Sequence, residues 1–195
     1  MTKGEATRQF IIEQSGPVFN KKGIAATAMS DIMEATKLSK GSLYLHFDNK
    51  EKLASCVIDY NMEILSKKVF SSVNRHNNAK DKLLAYLDIF SDPLHSPVVG
   101  GCPMMNFGSE ADDTNEEVRK RVAQEVEAGQ RFIADLIKQG IQERVFHSEW
   151  NYLEFAMLMF AMIEGGVMIS RITGSNNKMK IITRNLRKMI EEQQI

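Results

Sequence analysis

The densest chemistry in this 195-residue chain lies between Ala26 and Leu53, ATAMSDIMEATKLSKGSLYLHFDNKEKL. Ser39, Lys40, Ser42, Tyr44 and His46 set hydrogen-bond donors side by side, the kind of groups that meet base edges and phosphate oxygens on duplex DNA. Gly41 stands among them without a side chain, which lets the backbone approach a phosphate closely. Leu43 and Phe47, four apart, fall on one helical face and pin this short segment to a core. Thr27 is expected to cap a helix over 28–36 whose apolar face is Ile32 and Met33. A three-residue turn follows, and Ser39 is expected to cap a very short helix over 40–46. Asp48 with Glu51 makes a D-x-x-E capping pattern for a long helix reaching about Arg75. A short helix, a turn, a second short helix and a capped entry into a long one is the helix-turn-helix plan, whose second helix enters the major groove.

The whole chain carries no charge bias that would itself name a polyanion as partner. It holds 25 basic and 25 acidic residues, 43% hydrophobic and 26% charged residues, which are ordinary values for a globular protein. The first 52 residues hold eight basic residues against six acidic ones, a small local excess where the donors lie. Two cysteines, Cys56 and Cys102, exclude a disulfide scaffold and a multi-cysteine zinc site. The N-terminal run is too short and too charged for a secretory signal.

No strand-like alternation persists, and apolar residues recur at helical spacing. A first helix over 1–22 should face Phe10, Ile11 and Phe19 inward, carry a kink at Gly16-Pro17 and end at Gly23. A fifth helix covers about 79–90. The segment SDPLHSPVVGGCP is the clearest loop, and a short helix follows Pro103. Thr114 and Glu117 form a T-x-x-E box for a long helix to about Glu143. The acidic run Glu110, Asp112, Asp113, Glu116, Glu117 reads as the solvated start of that helix. An apolar helix over 149–171 and a last one over 177–193 complete an all-α chain of about nine helices. The stretch from Leu153 to Ile169 contains Glu154 and Glu164 and falls slightly short of a membrane span. It is expected to be a buried helix of a soluble, cytoplasmic protein, with no membrane partner.

KKGIAATAMSDI followed by LSKGSLYLHFDNKEKL closely resembles the N-terminal signature of TetR-family transcriptional repressors (TetR/AcrR type), specifically over about residues 8–53. The resemblance implies a homodimer, a DNA-binding head over 1–52 and a ligand-binding, dimerising body over 53–195. It implies that a palindromic duplex operator is the partner and that a small molecule in the body releases it. Thr27 matches the residue that caps the second helix and touches phosphate, and Lys40, Ser42, Tyr44 and His46 match recognition-helix contacts. Lys50 matches the basic residue that opens the fourth helix, where helix dipole and ammonium both favour a phosphate. Lys37 stands where the family often has glycine; a positive φ there costs lysine about 1 kcal/mol, and a phosphate contact is the role it would return. Leu45 sits where other members carry bulkier or polar residues, so base preference does not transfer. Lys37, Ser39, Gly41 and Leu45 complete the expected DNA-facing set.

In the body, LEFAMLMFAMIEGGVMI is apolar on every face, which suits a partner helix, and Gly165-Gly166 permits close approach. Replacing Gly166 is therefore expected to weaken a dimer. Twelve methionines suit a permissive apolar pocket. Its expected lining is Met62, Leu65, Tyr86, Phe90, Cys102, Met105, Phe107, Phe132, Trp150, Phe155 and Met159. Gly101-Cys102-Pro103 puts proline at the first helical position and makes Cys102 a cap, read either as a thiol activated by nearby unpaired N–H groups or as a small residue packed against the body. The effector is then a small apolar or reactive molecule. No metal or cofactor is expected: His46, His76, His95 and His147 are far apart, and no phosphate-binding glycine loop occurs. The rivals are a small all-α enzyme, for which no catalytic grouping of residues is found, and an architectural DNA binder without a ligand.

Overall fold

The structure, a computed structural model, describes residues 2–195. Among the described residues it consists of nine α-helices and one 3-10 turn, with no strand. In chain order they are α1 (Lys3–Lys22), α2 (Met29–Thr36), α3 (Lys40–Tyr44), α4 (Lys50–Val73), α5 (Ala79–Ile89), α6 (Pro103–Ala111), α7 (Glu116–Gln142), α8 (Tyr152–Thr173) and α9 (Asn177–Glu191). The 3-10 turn, Pro93–His95, lies in the expected loop. One isolated antiparallel bridge joins Phe146 to Gln194.

The chain forms two compact units. The first runs to Leu65 and takes in Val98–Ala123; the second comprises Ser66–Pro97 and Gln124–Ile195. The first unit therefore includes α6, which a boundary at residue 52 would place elsewhere. Its core is built from Ile11, Ile12, Phe19, Ile32, Leu43, Leu53, Val57 and Ile58, all buried. Phe10 does not belong to it: that ring is 40% exposed, and Ile12 takes the inward position. Pro17 lies inside α1, which is assigned as one uninterrupted helix.

In the second unit Leu83, Leu87, Ile133, Ile137, Phe146, Met159 and Ile163 are buried, with Met179, Leu186 and Ile190 from α9. α8 has 22 residues and begins later than expected, capped by the Asn151 side chain on the Glu154 N–H. By length and composition it could cross a membrane, so the shortfall read from the sequence is corrected. In this fold it packs on α9. Gly166 makes that packing possible: a Cβ there would lie 2.7 Å from Met179 Sδ and 2.9 Å from Ile182 Cδ1. Gly166 is thus a close contact between α8 and α9 within one chain. Gly165, its neighbour, faces open space.

Candidate nucleic-acid interface

A helix of five residues has almost no stability alone, because forming its first turn fixes several backbone dihedrals for the gain of one hydrogen bond. α3 is held from both ends and from beneath. Ser39 caps it, accepting from the Ser42 N–H at 3.2 Å. Leu43 (1% exposed) and Phe47 (7% exposed) anchor its inner side. The Arg8 guanidinium from α1 stacks on the Phe47 ring at 4.8 Å and donates to Cys56 Sγ at 3.0 Å.

The outer side is open. Tyr44 and Leu45 are exposed, Leu45 almost fully at 84%. Lys40 lies over the Tyr44 ring with Nζ 5.9 Å from its centroid. Ser39, Lys40 and Gly41 are exposed and Ser42 and His46 half-buried. Gly41 has no positive φ and would meet nothing with an added Cβ. Neither backbone conformation nor packing within the chain calls for glycine there. Lys37 closes α2 in the left-handed region, φ 58°, ψ 23°, so the strain anticipated for lysine in this turn is present, and its side chain is exposed.

Two expected roles change. Thr27 does not cap α2. Its side chain is buried and its hydroxyl donates to the Gly23 carbonyl; Ala28 takes the cap position, with its N–H donating to Asp31 Oδ2. Asp31 also binds Lys22 at 2.7 Å. These two contacts, the Lys22 hydrogen bond first, hold its carboxyl below the ordinary value of 3.8. Lys50 does not point its ammonium away from the chain. Nζ donates to the carbonyls of Ile24 (2.8 Å), Thr27 (3.0 Å) and Ala25 (3.4 Å), which employs all three N–H groups of an ammonium.

Glu110 has a role that no local pattern announces. Read as part of a solvated acidic run, it instead sits on α6, half-buried. Its carboxylate accepts from the N–H groups of Ile24 (2.7 Å) and Ala25 (2.6 Å). Nearby, the buried Asn20 amide donates to the carbonyls of Val99 and Gly101, each at 3.0 Å. Asn106 donates back to the Asn20 carbonyl at 2.8 Å and to the Gly100 carbonyl at 3.1 Å. These partners are about eighty residues apart along the chain, and no local pattern pairs them.

The expected pocket lining is divided. Met62, Leu65, Cys102 and Phe107 are buried and Met105 half-buried in the first unit. In the second unit Tyr86 meets Phe90 at 5.2 Å and Phe132 at 5.9 Å, ring centre to ring centre, and Phe70, not anticipated, joins Phe132 edge-on at 5.3 Å. Met159 is fully buried. Trp150 and Phe155 form a separate stack with Phe146. They line an open groove of about 260 Å³ with Leu158, Met189, Glu154 and Glu192. Cys102 occupies the cap position of α6 but makes no side-chain cap bond, and it is 5% exposed.

Comparison with known proteins agrees with this geometry. The family described as "Bacterial regulatory proteins, tetR family" matches residues 11–56, and "Tetracyclin repressor-like, C-terminal domain" matches residues 79–186. A TetR-family transcriptional regulator from Cytophaga hutchinsonii is 36% identical, with TM-score 0.93, covering 100% of this chain and 98% of that one. A TetR transcriptional regulator from Chloroflexus aurantiacus is 35% identical, with TM-score 0.94 and the same coverage. The biofilm operon negative transcriptional regulator IcaR of Staphylococcus aureus is 32% identical over 81 residues, 40% of this chain and 41% of that protein. An N-terminal helix-turn-helix with an open recognition helix, followed by a helical body that matches a second model of the same family, makes this chain a DNA-binding transcriptional regulator, not an enzyme, and a member of the TetR family.

Proposed function

We propose that this protein is a homodimeric, cytoplasmic repressor that binds a palindromic operator through α3 and lets it go when a small molecule enters the body. The observation that carries the DNA reading is Gly41. It lies on an exposed helix face between Lys40 and Ser42, where nothing within the chain requires glycine. A surface that gives up a side chain for no internal reason is suited to close contact with something outside, and the neighbouring donors suit phosphate and base edges. Tyr44, Leu45 and His46 then read sequence, while Ser39, Lys40 and Lys37 set position. Repression fits the negative regulation named for IcaR.

The dimer reading rests on α8. Leu153, Met157, Met168 and Ile172 are 44–77% exposed, and Ala161 is exposed and Gly165 open between them. At about 3.6 residues per turn these six positions fall within about a third of the helix circumference. They form one apolar stripe that α9 does not cover, the kind of face a second copy buries. The effector reading rests on the aromatic group of Tyr86, Phe90, Phe132 and Phe70, whose flat apolar surfaces suit an apolar molecule.

Selection of bound sequences from random duplex DNA by the purified protein tests the central claim. An enriched palindrome is the expected result; no enrichment at low salt overturns it. Small molecules that dissolve the selected complex then separate a ligand-responsive regulator from an architectural binder.

A further inference from the structure

The connection between α1 and α2 is held by charges of both signs. The N–H groups of Ile24 and Ala25 donate to the Glu110 carboxylate of α6 at 2.7 and 2.6 Å. The carbonyls of the same two residues, and of Thr27, accept from Lys50 Nζ of α4. One peptide group, the Ile24 carbonyl with the Ala25 N–H, therefore lies between an anion and a cation, donating to Glu110 and accepting from Lys50. Charge-assisted bonds of this length are the stronger kind. Gly23 admits the carboxylate: it has φ +80°, and a Cβ there would come within 2.6 Å of Glu110 Oε2. The Asn20–Asn106 contacts fasten the end of α1 to α6 beside this point.

We infer that Glu110 is a positioning residue for DNA binding: from α6, eighty-six residues away, it fixes the α1–α2 connection and thereby the angle at which α2 and α3 are presented. The inference rests on the DNA-binding reading above. The seat is geometric, because a carboxylate drawn back from 2.6 Å by more than about 1 Å no longer makes either bond. A withdrawal of α6 by that amount removes the anionic hold on the loop and leaves it to Lys50 alone.

The test compares wild type with Glu110→Gln and Glu110→Asp, each at a temperature where circular dichroism shows it folded. Gln keeps the volume and one acceptor but loses the charge; Asp keeps the charge and withdraws it by one methylene. Affinity is measured for the selected operator and for random duplex. Both variants should bind operator about tenfold more weakly, with random-duplex affinity undiminished. The amide resonances of Ile24 and Ala25 should move as their bonds weaken. A residue that merely stabilises the fold would lower both affinities together, in step with the unfolded fraction. That result overturns the inference, and so does a folded Gln variant with wild-type operator affinity. Wild type that binds no duplex at all overturns the DNA-binding reading and this inference with it; wild-type binding with unaltered variants overturns this inference alone.

Discussion

Lys50 shows how one residue type carries two meanings that only coordinates separate. A lysine at the first turn of a helix suits a phosphate, and the family resemblance assigns it one. In the fold its three N–H groups point at the carbonyls of Ile24, Ala25 and Thr27. Lys50→Met should therefore lower unfolding free energy by about 1–3 kcal/mol, measured by chemical denaturation. It should not produce the drop of about one in the salt slope of DNA binding that follows loss of a phosphate-bound lysine; such a drop would restore the phosphate role. Gly41 gives the opposite signature. Gly41→Ala relieves the entropy of glycine in a helix, worth about 0.5–1 kcal/mol, so the variant should melt higher and bind operator more weakly. Equal or tighter binding would show that nothing approaches that face closely.

At the scale of elements, the long helices are legible from apolar spacing and the short α3 and α6 from Ser39 and Pro103 at their starts, and the first turns are less so. Three expected caps fell one residue early. Thr27 gives way to Ala28, Asp48 to Asn49, and Thr114 to Asn115. The reason is common to the two threonines: each hydroxyl has a carbonyl four residues back within reach, Gly23 for Thr27 and Glu110 for Thr114, and donates there instead. Asp48 and Asn49, or Thr114 and Asn115, differ by little in local preference, whereas alanine is a poor cap, so at α2 tertiary placement overrides the local order. The start of α2 depends on Asp31 reaching back to the Ala28 N–H and across to Lys22. Its folded carboxyl titrates below 3.8, so the unfolded chain takes up this proton first as pH falls. The contribution is complete above about pH 5, declines as pH falls through 3.8 and is lost below the folded value. Asp31→Asn should flatten the stability profile between about pH 5 and pH 2 in acid titrations; an unchanged slope would mean these contacts do not matter to folding.

At the scale of the molecule, the pattern of α8 promised a partner helix but not which residues meet it. Periodicity ranks faces by apolar content, and α8 is apolar all round, so the choice between α9 and a second copy was invisible. Gly165 and Gly166 divide the two roles. Gly165→Trp should abolish the dimer in sedimentation at micromolar concentration, because the residue lies in the uncovered stripe. Gly166→Ala should instead lower the melting temperature by crowding Met179 and Ile182, at a cost of about 1–3 kcal/mol, and leave association intact. The reverse pattern would place the interface on α9's side of the helix. The head was legible as a motif, whereas its attachment to α6 through Asn20, Asn106 and Glu110 was not, since contacts across eighty residues leave no local trace.

That attachment bears on how the protein is made. The unit that carries the helix-turn-helix is assembled from two stretches of chain, one ending at Leu65 and the other spanning Val98–Ala123. During synthesis the first stretch is complete before Asn106 and Glu110 are added. The connection Ile24–Ala25 then has no acceptor for its two N–H groups, and Asn20 lacks the loop it binds. At translation rates of about 5–20 residues per second, the nascent head waits several seconds for its last supports. A head built in this way is not completed until Val98–Ala123 has been translated, so incomplete chains that end earlier lack these supports of the helix-turn-helix.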